Sequence, residues 1–112
     1  MLLVNIIHTF ALLTGPPANI SLQARSSRSL QIAWDPLKAI RGSFIAYTVQ
    51  CRSEDLEQST TLYKLANENA TQVIIERLLP FTTYTCCASI ETTMANSTTT
   101  CLQQRTPEDG IN

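Results

Sequence analysis

At 112 residues, with eight basic side chains against nine acidic ones, the chain is one domain at most and offers no basic face large enough for nucleic acid. A domain of this size buries roughly 65% of its unfolded surface, enough for a core without a structural metal. Charged residues make up only 15% while Thr, Ser, Gln and Asn are plentiful, a balance that suits the solvent faces of antiparallel sheets.

Residues 1–15 form an apolar N-terminal segment. Asn5 and His8 interrupt it, no Lys or Arg precedes Arg25, and Leu13-Thr14-Gly15 is a poor cleavage site. The segment reads either as a weak signal peptide or as a remnant of upstream sequence, and it is too short to span a bilayer. Gly15-Pro16-Pro17 then breaks the chain and marks entry to the domain, because Pro-Pro favours an extended linker.

Past that boundary the pattern is of short strands separated by turns. Ile20 and Leu22 alternate with polar residues in a first strand; Leu30, Ile32 and Trp34 do so in a second, which stops at Asp35-Pro36. After a loop containing Gly42, the residues Tyr47, Val49 and Cys51 share one face of a third strand. Glu54 to Ser59 is loop-like, and Thr60 to Leu65 reads as a short edge strand. Val73 and Ile75 mark a fifth strand, Tyr84, Cys86, Ala88 and Ile90 a sixth, and Thr98 to Gln104 the last. No long 3.6-residue period competes, so the chain reads as an all-β sandwich of about seven strands.

The run Leu78-Leu79-Pro80-Phe81-Thr82-Thr83-Tyr84 is the most specific local signal. A buried tyrosine hides its ring, but its hydroxyl still needs a partner. In immunoglobulin-like sandwiches that partner is backbone a few residues upstream, which pins the crossover between the sheets.

Four cysteines, Cys51, Cys86, Cys87 and Cys101, accompany three N-glycosylation acceptors at Asn19, Asn69 and Asn96. An even cysteine count in a short chain fits a disulfide framework in an exported protein, and the acceptors agree with export.

With these residues placed, residues 16–107 resemble a fibronectin type III domain. The proline-led first strand corresponds to Pro17-Ala18-Asn19-Ile20-Ser21-Leu22, and the tryptophan strand to Ser29-Leu30-Gln31-Ile32-Ala33-Trp34 followed by Asp35-Pro36. Gly42, Phe44, Tyr47 and Val49 match the next strand, and Leu78, Pro80, Thr82 and Tyr84 match the corner. Trp34, Tyr47, Leu78, Pro80 and Tyr84 are the expected structural core. The resemblance implies a seven-stranded immunoglobulin-like antiparallel β-sandwich. Residues 108–112, after Thr106-Pro107, would be a linker to a further domain of a tandem array.

Most domains of this family carry no disulfide, so the cysteines are a departure. On the strand of Tyr84, side-chain alternation turns Cys86 inward and Cys87 outward. Counting back from Thr106, Cys101 faces outward on the last strand, the hairpin partner of Cys87's strand in this fold. A Cys87–Cys101 bridge is therefore expected, closing the hairpin around Met94-Ala95-Asn96. Cys51 and Cys86 are both inward on strands that the fold sets side by side. They read either as a second bridge or as two buried thiols packing as small hydrophobes.

Catalytic patterns are missing from the sequence. The single histidine, His8, lies in the N-terminal run, which leaves no Ser-His or Cys-His arrangement inside the domain. The cysteines lack C-x-x-C spacing, so neither a metal nor a cofactor is implied. Glu54, Asp55 and Glu57 read as a solvated loop, and Arg25, Arg28 and Arg41 as a modest basic edge. Arg41-Gly42-Ser43 lacks the carboxylate of the adhesive tripeptide Arg-Gly-Asp, and the Trp-Ser-x-Trp-Ser signature of cytokine receptors is absent from the sequence.

The resemblance implies a non-catalytic, extracellular or cell-surface protein-interaction or spacer module of an adhesion or receptor protein. Its partners would be proteins and neighbouring modules of the same family, with no direct membrane contact by the domain. The rival readings are an intracellular structural array module and an ectodomain fragment of a receptor tyrosine phosphatase or kinase.

Overall fold

A computed structural model describes residues 15–38, 40, 42–54, 60–94 and 97–110. Among these residues there are seven strands: β1 (Ser21–Ser26), β2 (Ser29–Ala33), β3 (Phe44–Ser53), β4 (Thr60–Leu65), β5 (Gln72–Ile75), β6 (Thr83–Thr92) and β7 (Thr100–Arg105). They form two sheets, one in the order β1-β2-β5 and the other β4-β3-β6-β7. Every pairing is antiparallel.

Alternation explains the layering. In β6 the residues Tyr84, Cys86, Ala88, Ile90 and Thr92 are buried, while each intervening residue is partly exposed. In β2, Leu30 and Ile32 are fully buried, and they pair with Ile75 and Val73 of β5. These inner faces meet in a single cluster with Trp34, Tyr47, Val49, Cys51, Ile75 and Leu78. Two-sheet packing of this kind buries one face of each strand and leaves the other to solvent.

Strand limits shift by a residue or two from the sequence reading. Ile20 precedes β1, and the last strand is Thr100–Arg105. Trp34 lies one residue past β2. It stays 4% exposed because its backbone N–H reaches Thr71 O at 2.9 Å, which keeps the chain extended and the ring turned inward. The register of β3 against β6 also slips between Phe44 and Ala46. That bulge puts Ala46 and Tyr47 in succession on the buried side and leaves Ile45 41% exposed. It also brings Phe44 against Tyr47, ring centroids 4.9 Å apart.

Antiparallel order assigns each loop to one of two poles. Residues 15–20, 34–38, 40, 42–43, 66–71, 93–94 and 97–99 gather at the entry pole, and residues 27–28, 54, 76–82 and 106–110 at the exit pole.

Candidate functional site

At the exit pole the corner is a closed hydrogen-bond network. Leu79 N–H donates to Tyr84 Oη at 2.9 Å, and Thr82 Oγ1 donates to Pro80 O at 2.8 Å. Thr106 ties the exit strand to this corner. Its Oγ1 accepts from Thr82 N–H at 3.0 Å and donates to Leu79 O at 2.6 Å, while its own N–H donates to Thr82 O at 3.0 Å. Thr106 is 0% exposed, yet nothing in its local sequence announces a node. Leu78 and Tyr84 lie in the core as expected. Pro80 does not: it is half-buried and outside the core cluster, because it sits on the turn and contributes its carbonyl rather than its ring.

Beyond Thr106 the chain is clasped to the pole. Phe81 N–H donates to Pro107 O at 2.9 Å, and the Arg105 guanidinium stands 4.6 Å from the centroid of the Phe81 ring. Asp109 accepts from Ser27 Oγ at 2.6 Å and pairs with Arg28 Nη2 at 2.8 Å. The hydrogen bond from Ser27, then that from Arg28, holds the Asp109 carboxyl below the usual carboxylate range. Arg28 is thus part of a clasp, and Arg25 donates to Gln31 across the β1–β2 pair. Of the basic edge expected from Arg25, Arg28 and Arg41, the last lies outside the described residues.

At the entry pole Trp34 and Tyr47 hold the loop between β4 and β5. Trp34 Nε1 donates to Ala70 O and Tyr47 Oη to Glu68 O, each at 2.9 Å. Their rings meet at 4.9 Å. Burial pushes the Tyr47 hydroxyl above the ordinary tyrosine range. Pro16, Pro17, Trp34, Leu37, Tyr47 and Ile90 border a hollow of about 90 Å³ here. A drug-sized ligand needs about 300 Å³ or more. This is a crevice between loops, too small to enclose such a molecule.

Asn19 and Asn69 are both exposed at this pole. Asn19 Nδ2 donates to Asp35 Oδ2 at 2.6 Å with φ at 52°, a left-handed conformation that Asn tolerates better than most residues. Asn69 N–H donates to Asn67 Oδ1 at 2.9 Å. Asn96 falls outside the described residues, as do His8, Asp55 and Glu57. Glu54 accepts a hydrogen bond from Thr85 Oγ1. Among the described residues no group of three or more His, Cys, Asp or Glu could hold a metal ion.

The cysteines form two bridges that share β6. Cys51 is bonded to Cys86 on the inner face, where they are 1% and 0% exposed. Cys87 is bonded to Cys101 on the outer face, where Cys101 is exposed. Both pairs are direct register partners, and both have Cα atoms 4.0 Å apart. A separation this short belongs to the non-hydrogen-bonded sites of an antiparallel ladder, where side chains are closest. Consecutive residues of a strand turn their backbone groups to opposite neighbours. Cys86 is therefore a close site toward β3, and Cys87 is one toward β7. The outer bridge adjoins a hollow of about 80 Å³ bordered by Gln50, Arg52, Thr85 and Cys87.

Comparison with known proteins agrees with this architecture. The fn3 domain of human collagen alpha-1(XX) chain superposes with a TM-score of 0.75 at 17% identity, covering 89% of this chain and 91% of that one. The fn3 domain of human contactin 1 gives 0.73 at 14% identity, over 88% and 82%. The chicken CNTN1 FN1-FN3 domains give 0.69 at 17% identity; the match covers 82% of this chain and 32% of that longer one. At such identities the likeness establishes the fold. No curated protein matches the chain in sequence. The fibronectin type III domain model, however, matches residues 15–100, and this chain belongs to that family.

Proposed function

We propose that the chain is an extracellular protein-interaction or spacer module of a cell-surface adhesion or receptor protein, with no catalytic role of its own. The observation that carries this reading is the Cys87–Cys101 bridge, part of which lies open to solvent. Reducing compartments do not keep such a bridge closed, whereas secreted and surface proteins do. The acceptors at Asn19, Asn69 and Asn96 support the same compartment, and Asn19 and Asn69 lie exposed in entry-pole loops. Glycans there would shield that pole. Contacts would then fall to the outer face of the β4-β3-β6-β7 sheet or to the exit pole.

The clasp of Pro107 and Asp109 also bears on this role. A chain leaving through it departs in a direction fixed by Phe81, Ser27 and Arg28. That suits a module in a tandem array, with residues 108–112 leading to the next domain. The test is expression of the domain behind a heterologous secretion signal, followed by intact mass under non-reducing conditions with and without removal of N-glycans. The reading expects two closed bridges and a glycan mass. A secreted product with four free thiols and no glycan would overturn it.

A further inference from the structure

The two bridges differ in a way that the fold alone does not require. Cys51–Cys86 is sealed between the sheets, so no external nucleophile reaches its sulfurs while the core is intact. Cys87–Cys101 lies on the outer face of β6 and β7, with Cys101 exposed, and Cys87 borders the hollow that also holds Arg52. Arg52 is exposed on β3, two residues along the same face from the Gln50 that pairs with Cys87. A guanidinium beside a sulfur favours its thiolate form, and a leaving thiol of lower pKa departs faster.

From this arrangement we propose that Cys87–Cys101 is a thiol–disulfide exchange site, opened by an external dithiol in the folded domain while Cys51–Cys86 stays closed. The attacking thiolate bonds to Cys101 Sγ, and the Sγ–Sγ bond breaks. Its electron pair leaves on Cys87 Sγ, which borders the same hollow as Arg52, and that thiolate then takes a proton from water. The second thiol of the reductant, as thiolate, displaces Cys101 Sγ from the mixed disulfide. The reductant ends as a disulfide, and two electrons have passed to Cys87 and Cys101.

Geometry also confines the reaction. The freed Cys87 thiolate is the chain neighbour of Cys86, but alternation sends the two side chains to opposite faces of the sheet. It cannot attack the inner bridge without opening the core, so exchange stops after one bridge. β7 then remains paired to β6 by its backbone ladder and by the hydrogen bonds from Gln103 Nε2 to Thr85 Oγ1 and from Arg105 Nε to Thr83 Oγ1, at the margin of the sheet.

The experiment treats the folded, oxidised protein with dithiothreitol, quenches with iodoacetamide at intervals, and reads each cysteine by peptide mass spectrometry. Fragmentation separates Cys86 from Cys87. Cys87 and Cys101 are expected to be alkylated at least ten times faster than Cys51 and Cys86, with circular dichroism unchanged over that interval. Arg52→Gln is expected to slow opening of the outer bridge two- to tenfold without moving the melting temperature. Equal rates at all four cysteines, or opening only as fast as global unfolding, would overturn the proposal. An unchanged rate in Arg52→Gln would overturn Cys87 as the leaving group.

Discussion

Thr106 offers a sharp test of how the corner is held, because shape and hydrogen bonding predict opposite orders for two substitutions. Thr106→Val keeps the shape of a fully buried side chain but removes the hydroxyl. Thr82 N–H then loses its acceptor and Leu79 O its donor. Each buried polar group left without a partner costs about 1–3 kcal/mol, and the hydroxyl's own desolvation, no longer incurred, offsets about 1. The net loss is about 1–5 kcal/mol, centred near 3. Thr106→Ser keeps both bonds and removes one buried methyl, worth about 1 kcal/mol with its small cavity. Against a total stability on the order of 5–15 kcal/mol, the valine variant is a large perturbation. In a domain of this size it lowers the melting temperature by roughly 10–20 °C. Trp34, the single tryptophan and 4% exposed, reports unfolding by fluorescence during urea titration without reductant. If Thr106→Val proved as stable as the wild type, or more stable than Thr106→Ser, packing rather than hydrogen bonding would be what holds the corner.

Three further outcomes follow from the same structure. Tyr84→Phe removes the acceptor of Leu79 N–H and should cost about 1–2 kcal/mol by urea titration; its combination with Thr106→Val should cost less than the sum, because both act on Leu79. Gly42→Ala should cost about 2–3 kcal/mol: φ is 87° there, and an added Cβ would stand 2.4 Å from Met94 Cγ and 3.0 Å from Met94 N. The Asp109 carboxyl is held below its unfolded value, so the clasp is complete above that value and is lost as pH falls through the folded one. Amide chemical shifts of Ser27 and Glu108 to Gly110 should move together in that acid range, while the Tyr84 corner does not; shifts that titrate independently would mean that no clasp forms in solution.

Most of the framework was legible because alternation is a local property. The inward sets of β2, β3 and β6 follow from period two, and the facing of Cys86 and Cys87 follows with them. The bulge at Phe44–Ala46 was not legible, since one extra residue leaves no compositional mark. Pro80 belongs to a motif whose neighbours Leu78 and Tyr84 are core residues, yet a turn residue acts through its backbone and stays half-buried. The contacts of Thr106, Asp109 and Arg105 are not legible for a different reason. Each works through a partner distant in sequence, Leu79 and Thr82, Ser27 and Arg28, and Phe81, and a polar residue near a strand end carries no signal of what will face it.

The adjacent cysteines of β6 tie these strands together in a way that neither could alone. Four cysteines allow three pairings. The two other pairings, Cys51–Cys87 with Cys86–Cys101 and Cys51–Cys101 with Cys86–Cys87, would each ask side chains on opposite faces of one sheet to meet, so sheet formation itself excludes both. The native pairing in turn fixes register: a slip of one residue between β3 and β6 would carry Cys86 away from Cys51 and turn the apolar set of β6 to solvent. The inner bridge thus belongs to the core, where opening it means unfolding. The outer bridge fastens only β7, the strand that leads through Thr106 and Pro107 to the clasp at Asp109. The proposed exchange at Cys101 would thus remove a crosslink from the strand whose far end leads to the clasp, while the inner bridge stays closed within the core that joins the two sheets.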